Sequence, residues 1–268
     1  MRQTINRTSS LTLLPLLGLL LLVATSCGSR RSTVSRSGAM GTLSKSEVIR
    51  GYAALPSYPL ADVRGMLSVS AGDKSDLSSG YRMSIYPGEA MVIAARPMGL
   101  FEAGRVTLLP DRVILLDKMD RYGVDEALDI TPPLPISILD LFGSVSTSRL
   151  EEMQMSREPG GYRFTDRDSG SEIFMDLDLN LTGMTIDLPR RAGGVTVSFS
   201  HFATISGYRP LPQRMKAELS MPSMGDPATL ALTITDYDTK PSMKPDKALP
   251  DDYTRLSLIR LLSVILGK

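Results

Sequence analysis

The sequence predicts a mainly β protein of the α+β class, with about ten antiparallel strands and two helical connectors. Two features of the 268-residue chain predict this fold. Apolar and polar residues alternate with a period of two over many short stretches, which is typical of strands that bury one face. Clusters of Gly, Pro, Asp and Ser separate the stretches and indicate turns. Such a series of strands either stacks as a sandwich or curls into a barrel.

The clearest hairpin spans residues 104–117. Two apolar runs, residues 104–109 and 112–117, flank Pro110-Asp111. Proline presets φ at the second position of a turn, and Asp tolerates the conformation that follows it in a type I turn. The pattern predicts an antiparallel hairpin near the middle of a larger sheet.

A helix precedes the strands. Ser44 and Glu47 have the spacing of a capping box, Leu43 can pack on Val48, and Pro56 marks the end of the helix. A second short helix is predicted over residues 136–142, after a proline-rich connector. Further strands are predicted over residues 62–69, 81–86, 91–95, 161–165, 172–181, 195–202, 215–220 and 230–235. The alternation over residues 172–181 is the most regular and predicts one long strand.

The beginning of the chain has the composition of a targeting segment. Residues 1–26 combine a basic start with an apolar stretch that is too short for a comfortable membrane span. They end in Ala24-Thr25-Ser26 before Cys27, the single cysteine, and this ending resembles the lipobox of bacterial lipoproteins. The resemblance implies that Cys27 is lipidated, for example with palmitate. An ordinary secretory signal that leaves a free thiol is the alternative. Residues 27–41, rich in Ser, Gly and Arg, are predicted to be a flexible tether.

Composition and motifs argue against catalysis and nucleic-acid binding. The 30 basic and 29 acidic residues leave a net charge of +1. The only histidine, His201, is predicted to lie in the interior beside Val197 and Phe199. No nucleophile elbow, phosphate loop or metal-ligand spacing is present, so we expect neither an enzyme nor a bound metal or cofactor. Glu102, Arg105 and Asp117 are interpreted as a buried ion-pair network rather than as a site.

A large curled sheet has a concave apolar surface that its own helices or a ligand must fill. The chain has 15 methionines, whose flexible thioethers suit an irregular apolar ligand, although ordinary core packing explains them equally well. The residues predicted to line a lipid-binding surface are Met83, Ile85, Met175, Leu177, Leu179, Val197 and Phe199.

The final segment, residues 254–268, is predicted to be an apolar helix. Its wide apolar arc includes Leu258, Ile259, Leu262 and Ile265. The run is too short to cross a bilayer. It can therefore plug the concave sheet, lie on the membrane interface, or dock a protein partner.

Four motifs resemble a known class of proteins. They are FEAGRV at residues 101–106, LPDRV at 109–113, LDKMDRY at 116–122 and LPDDY at 249–253. They resemble an uncharacterised family of Gram-negative outer-membrane lipoproteins grouped with the LolA/LolB lipoprotein carriers. The resemblance implies a half-open β-barrel over residues 42–253 that shelters acyl chains under a helical lid. It carries over no functional residue besides Cys27.

The resemblance also implies a location and a role. The protein would be lipid-anchored to the outer membrane and face the periplasm. It would bind lipid or lipoprotein acyl chains, in lipoprotein transport to the outer membrane or insertion into it. The alternative is a structural or assembly lipoprotein that binds no lipid and docks a protein partner through residues 254–268.

Overall fold

The computed structural model describes residues 38–71, 77–87, 89–127, 144–187, 193–220, 227–257 and 260. Two α-helices, α1 (Lys45–Ala53) and α2 (Thr147–Glu152), and a 3₁₀ turn (Pro97–Gly99) lie among the described residues. The strands are β1 (Asp62–Ala71), β2 (Leu77–Tyr86), β3 (Ala90–Arg96), β4 (Gly104–Leu108), β5 (Arg112–Asp117), β6 (Tyr122–Ala127), β7 (Gln154–Glu158), β8 (Gly161–Thr165), β9 (Glu172–Asp176), β10 (Leu181–Asp187), β11 (Gly194–Ala203), β12 (Leu211–Ser220), β13 (Ala228–Asp238) and β14 (Thr254–Arg255).

The strands follow one hydrogen-bonded order. It runs β14-β6-β5-β4-β3-β2-β1-β13-β12-β11-β10-β9-β8-β7, as an open sheet that ends at β14 and β7. The mainly β class is therefore confirmed. The predicted strand number, about ten, is too low, because the described residues form 14 strands.

The chain divides into two compact units. Of the described residues, unit 1 contains residues 59–127 and 232–260, and unit 2 contains residues 38–58 and 144–231. Unit 1 includes β1 to β6, most of β13, and β14. Unit 2 includes both helices and β7 to β12. Each unit has its own sheet faces and its own covering segment.

The hairpin predicted over residues 104–117 is confirmed as β4 and β5. Val106 pairs with Leu115, and the amide of Leu109 donates to the carbonyl of Arg112 at 2.9 Å, which closes the turn at Pro110-Asp111. The hairpin is central in unit 1, with β6 and β3 beside it. In the complete strand order it lies near one end, third and fourth from β14.

The long strand predicted over residues 172–181 is wrong, because the chain turns there. Strand β9 ends at Asp176 and β10 begins at Leu181. Asp176 accepts hydrogen bonds from the backbone and side-chain amides of Asn180, at 2.8 and 3.0 Å. Leu179 adopts the left-handed conformation, with φ of 64°. Local Asx-type hydrogen bonds therefore outcompete the apolar alternation.

Strands β6, β7 and β10 were not predicted. For β7 the reason is that residues 154–158 alternate only weakly. The predicted apolar helix does not begin at residue 254, because Thr254 and Arg255 form β14 and pair in parallel with Tyr122 and Gly123. The helix predicted over residues 136–142 lies outside the described residues.

Candidate functional site

Unit 1 has a broad apolar sheet face. The strand register aligns one residue from each of six consecutive strands into a row across this face, and none of the six is more than 3% exposed. The row consists of Val63, Met83, Ile93, Val106, Leu115 and Val124. A second, parallel row, at most 6% exposed, consists of Ile85, Met91, Leu108 and Val113. The predicted candidates Met83 and Ile85 thus lie on one continuous apolar surface.

A third row on the same face contains polar groups. Along it lie Gly65, Tyr81, Ala95, Gly104, Asp117 and Tyr122. Asp117 is 3% exposed and accepts hydrogen bonds from the amides of Met119 and Asp120, at 2.9 and 3.2 Å. Burial nevertheless raises the pKa of Asp117 above its ordinary value. Sequence reasoning did not single out Tyr81 as a site residue, although Tyr81 has the same strand phase as Met83 and Ile85.

The opposite face of unit 1 is covered by residues 239–253, which connect β13 to β14 and which we call the strap. The strap crosses the sheet from β1 towards β6. Hydrogen bonds attach the strap where Ser242 meets Asp62 and Ser84, where the Met243 carbonyl accepts from the Tyr86 hydroxyl, and where Asp246 accepts from Thr107. Further along, Leu249 packs on Gly123, and Asp252 pairs with Arg121. Met243 also packs on Val92 and Ala94. The strap thus occupies the face opposite the apolar rows.

A buried carboxylate fixes the first anchor of the strap. Asp62, which is 1% exposed, accepts from Ser84 Oγ at 2.7 Å, from Ser242 N at 3.1 Å, from Ser242 Oγ, and from Arg82 Nε at 3.0 Å. Burial by itself raises the pKa of Asp62, but these donors outweigh it and hold the pKa below its ordinary value. The carboxylate therefore remains charged and ties the strap to β1 and β2.

The ion-pair network predicted for Glu102, Arg105 and Asp117 is present in part, because Glu102 pairs with Arg105 but Asp117 is not a member. Glu102 accepts both Arg105 Nε at 2.6 Å and Arg105 Nη2 at 2.9 Å, and it pairs with Lys118 Nζ at 2.7 Å. Burial raises the pKa of Glu102, but its bonds to Arg105 and Lys118 lower it by more. Asp117 belongs to the apolar face, whereas Arg105 lies on the strap face, where it also faces Asp246 at 3.6 Å. The network joins the loop before β4 to the residue after β5.

The same end of unit 1 exposes large apolar side chains on two adjoining loops. Leu100 is 74% exposed and Phe101 is 44% exposed, in the loop between β3 and β4. Met119, in the turn between β5 and β6, is 48% exposed. The Glu102–Lys118 ion pair and a 3.0 Å bond from the Lys118 amide to the Ala103 carbonyl join the two loops. Sequence reasoning missed this group, since exposure of the loop cannot be read from periodicity.

Unit 2 has its own apolar face. A row across five strands contains Phe164, Ile173, Met184, Val197 and Ala217, none of them more than 2% exposed. The candidates Met175, Val197 and Phe199 lie on this face and are at most 4% exposed. Their place on one surface agrees with the prediction, and their role in lipid binding remains a prediction.

Helix α1 lies on the apolar side of unit 2. The Ser44–Glu47 capping box is confirmed, with Glu47 Oε2 accepting from the Ser44 amide at 2.7 Å. Before the helix, the Leu43 amide donates to the Tyr162 hydroxyl at 3.3 Å; near its end, the Tyr52 hydroxyl accepts from the Val145 amide at 3.0 Å. Val48, Ile49 and Tyr52 are buried. The unit's own helix therefore covers at least part of this face.

Leu177 and Leu179 do not lie on the apolar strand face as predicted. Both belong to the turn between β9 and β10. Leu177 is 43% exposed. Leu179 packs on helix α1 at Gly51, where an added Cβ would come within 2.5 Å of Leu179 Cδ1. The positive φ of Leu179 directs its side chain to the helix, which sequence alternation cannot show.

The predicted interior position of His201 is also wrong. His201 is exposed, and its Nδ1 lies 3.2 Å from Ser200 Oγ. Its φ of 56° is left-handed, so the inward–outward alternation of β11 shifts after Phe199. No group of three or more possible metal-ligating side chains is found in the part of the chain that the structure describes.

Two sets of predicted residues lie outside the described residues. One is the lipidation site Cys27; the other is the contact set Leu258, Ile259, Leu262 and Ile265. In the described residues, no helix has the length and apolar character needed to cross a membrane.

No protein-family model and no curated protein matches the chain. A LolA superfamily protein from Nitrosomonas europaea is similar in structure, with 12% identity, a TM-score of 0.43 and coverage of 80% of this chain and 100% of that one. A structure described as an outer membrane lipoprotein-sorting protein domain, from Vibrio parahaemolyticus, has 10% identity, a TM-score of 0.45 and coverage of 77% and 94%. A DUF1329 family protein from Desulfovibrio piger has 11% identity, a TM-score of 0.47 and the same coverage of 77% and 94%.

These structures include the LolA class that the sequence motifs resemble. Their sequence identities to this chain do not exceed 12%. What the chain binds is therefore inferred from its own residues.

Proposed function

We propose that the protein is a lipid-anchored, non-enzymatic carrier that faces the periplasm from the outer membrane and binds lipid or lipoprotein acyl chains. Its binding surface is the apolar face of unit 1. The observation that carries this proposal is the difference between the two faces of that sheet. The chain's own strap lies on one face, where polar anchors attach it, while the opposite face carries aligned apolar rows across six strands.

Such a surface suits an acyl chain because burial of methylene groups needs no directional contacts. Each CH₂ group removed from water contributes about 0.8 kcal/mol. The two apolar rows include Met83 and Met91, whose unbranched thioethers adapt to a flexible ligand. Since residues of both rows are at most 6% exposed, an acyl chain enters only when this face opens to solvent. We therefore expect loading to be slow without a donor.

The exposed loops at the end of unit 1 provide the contact with a lipid surface. Leu100 and Phe101 project apolar area into solvent, and the ion pair at Glu102 leaves the loop backbone firmly attached to the sheet. Insertion of both side chains into an interface would recover the apolar area that is exposed in solution. The loops are thus the entry and delivery end of the proposed carrier.

Photo-cross-linking tests the proposal in the intact protein. Cells that produce the full chain are fed a fatty acid with a diazirine near its terminal methyl, and cross-linked peptides are mapped by mass spectrometry. We expect cross-links on β2, β3 and β4 of unit 1. Cross-links confined to the exposed loops would contradict binding on the apolar face.

Matched variants then test delivery. In vesicles of phosphatidylethanolamine and phosphatidylglycerol, L100D together with F101D should reduce transfer of a labelled lipid about tenfold or more, since the charges oppose insertion. Leu177→Asp is the control, because Leu177 is also an exposed leucine on a turn but belongs to unit 2. Equal losses in the two variants would show that the effect is not specific to the loops of unit 1.

A further inference from the structure

Tyr81 has a fixed position on the apolar face of unit 1. It pairs directly with Gly65 of β1 and Ala95 of β3. A Cβ at Gly65 would come within 3.1 Å of Tyr81 Cε1 and would collide with the backbone carbonyl of Thr233. The ring therefore lies over a glycine that must remain a glycine. Its orientation is set by packing rather than by a bond of its hydroxyl group.

The Tyr81 hydroxyl is buried without a hydrogen-bond partner in the described part of the chain. The side chain is only 4% exposed. Burial raises the pKa of the phenol above its ordinary value, so the group remains a neutral O–H donor. Other tyrosines are paired: Tyr86 donates to the Met243 carbonyl at 2.7 Å, and Tyr162 accepts from the Leu43 amide at 3.3 Å.

An unpaired buried hydroxyl is costly. Leaving such a group without a partner costs about 1–3 kcal/mol, and phenylalanine would fill the same space without that cost. Asp117, a buried acceptor on the same row, is already bonded to the amides of its own turn. A tyrosine at this position is thus explained by a partner that arrives from outside the chain.

We propose that the Tyr81 hydroxyl donates a hydrogen bond to the carbonyl oxygen of a bound acyl chain, where the chain is joined to its ester or amide group. The adjacent rows through Met83 and Ile85 then receive the methylene groups that follow the carbonyl. The inference rests on the proposed function and adds the chemical class of the ligand: an O- or N-acylated molecule rather than a plain hydrocarbon. The hydrogen bond from Tyr81 fixes the position of the carbonyl and therefore how deeply the acyl chain inserts.

The test compares three photo-probes with the same hexadecyl chain length: a methyl ester, an N-methyl amide and an alkane. The full chain, produced in a Gram-negative host, is embedded in phosphatidylethanolamine nanodiscs, and labelling of unit 1 is quantified by mass spectrometry. In the wild-type protein we expect the ester or the amide to label about fivefold more than the alkane, the effect of one hydrogen bond. Whichever carbonyl probe is preferred identifies the linkage. In Tyr81→Phe this preference should disappear, with alkane labelling unchanged.

Tyr86→Phe is the control, because Tyr86 lies on the same strand but on the strap face. It should retain the carbonyl preference and lower the melting temperature, whereas Tyr81→Phe should leave the melting temperature equal or higher. A preference that survives Tyr81→Phe overturns the inference while leaving the carrier function intact. A melting temperature that falls equally in both variants also overturns it, since the hydroxyl then has a partner within the protein. Failure of all three probes to label the apolar rows would overturn the carrier function and the inference together.

Discussion

The two units cover their sheets in opposite ways. In unit 1 the strap crosses the face opposite the apolar rows, and several of its anchors are charged and hydroxyl groups such as Asp62 and Ser242. In unit 2 a capped helix lies on the apolar side and buries Val48, Ile49 and Tyr52. The strap is thus attached at several points by hydrogen bonds and ion pairs, whereas the helix buries an apolar face.

The two kinds of attachment respond differently when a contact is lost. Buried polar anchors are strong only as a complete set, because removal of one member leaves the others unsatisfied. Apolar packing is graded, and a helix can shift on its sheet at moderate cost. In unit 1 the anchors of the strap all lie on the face opposite the apolar rows. A ligand on the apolar rows would therefore leave those anchors in place.

The largest effect is expected from the removal of the buried carboxylate, in Asp62→Ala. The change leaves Arg82, Ser84 and Ser242 without their common acceptor, which should lower the free energy of unfolding by about 3 kcal/mol or more. Hydrogen exchange should rise in residues 240–247, while the amides of helix α1 keep their protection.

Asp246→Ala is the control for this variant. Asp246 anchors the same strap through Thr107 Oγ1 at 2.9 Å, but its side chain is 23% exposed. Its loss should cost about 1 kcal/mol. If both variants cost the same, the Asp62 cluster is not the main attachment of the strap.

Much of unit 1 could be predicted from its sequence, because the signals there are local. Alternation in residues 62–69 and 81–86, and the Pro110-Asp111 turn, are sufficient to predict the strands and their inward residues. The capping box at Ser44 is local too. The strap could not be predicted, since residues 239–253 have no period and their anchors lie more than a hundred positions away in the sequence, as for Thr107 and Asp246.

The candidate site was predictable only in part. Met83, Ile85, Val197 and Phe199 lie inward as the alternation predicts. Leu179 does not, because Asp176 and Asn180 close a turn whose tip packs on Gly51. The isolated hydroxyl of Tyr81 depends on burial and on the cross-strand glycine, both of which are properties of the folded sheet.

An intermediate effect is expected in unit 2 from Tyr52→Phe. The ring remains under the guanidinium of Arg209, 3.9 Å away, but the buried amide of Val145 loses its acceptor. The free energy of unfolding should fall by about 1–2 kcal/mol. Faster exchange should appear in helix α1 and not in the strap.

Tyr208→Phe is the control, because its ring contact with Tyr58 is retained and we expect almost no change. Faster exchange in both covering segments would show that they are not independent.

The smallest effect sharpens the contrast between the two faces of unit 1 and depends on pH. Burial raises the folded-state pKa of Asp117 above its unfolded value, so the folded state holds the proton more tightly and ionisation costs stability above the folded pKa. Asp117→Asn keeps an oxygen for the amides of Met119 and Asp120 but removes the charge. It should stabilise the protein at pH 7 by about 1 kcal/mol or less, and the gain should vanish as the pH falls below about 4, the ordinary Asp pKa.

For Asp62 the pH dependence of stability has the opposite sign. Its lowered pKa stabilises the fold above the unfolded pKa, and that contribution is lost as the pH falls through the folded pKa. Urea unfolding of both variants between pH 3 and 7 separates the two carboxylates. A loss of stability in Asp117→Asn at pH 7 would mean that its charge, like that of Asp62, is part of what holds unit 1 together.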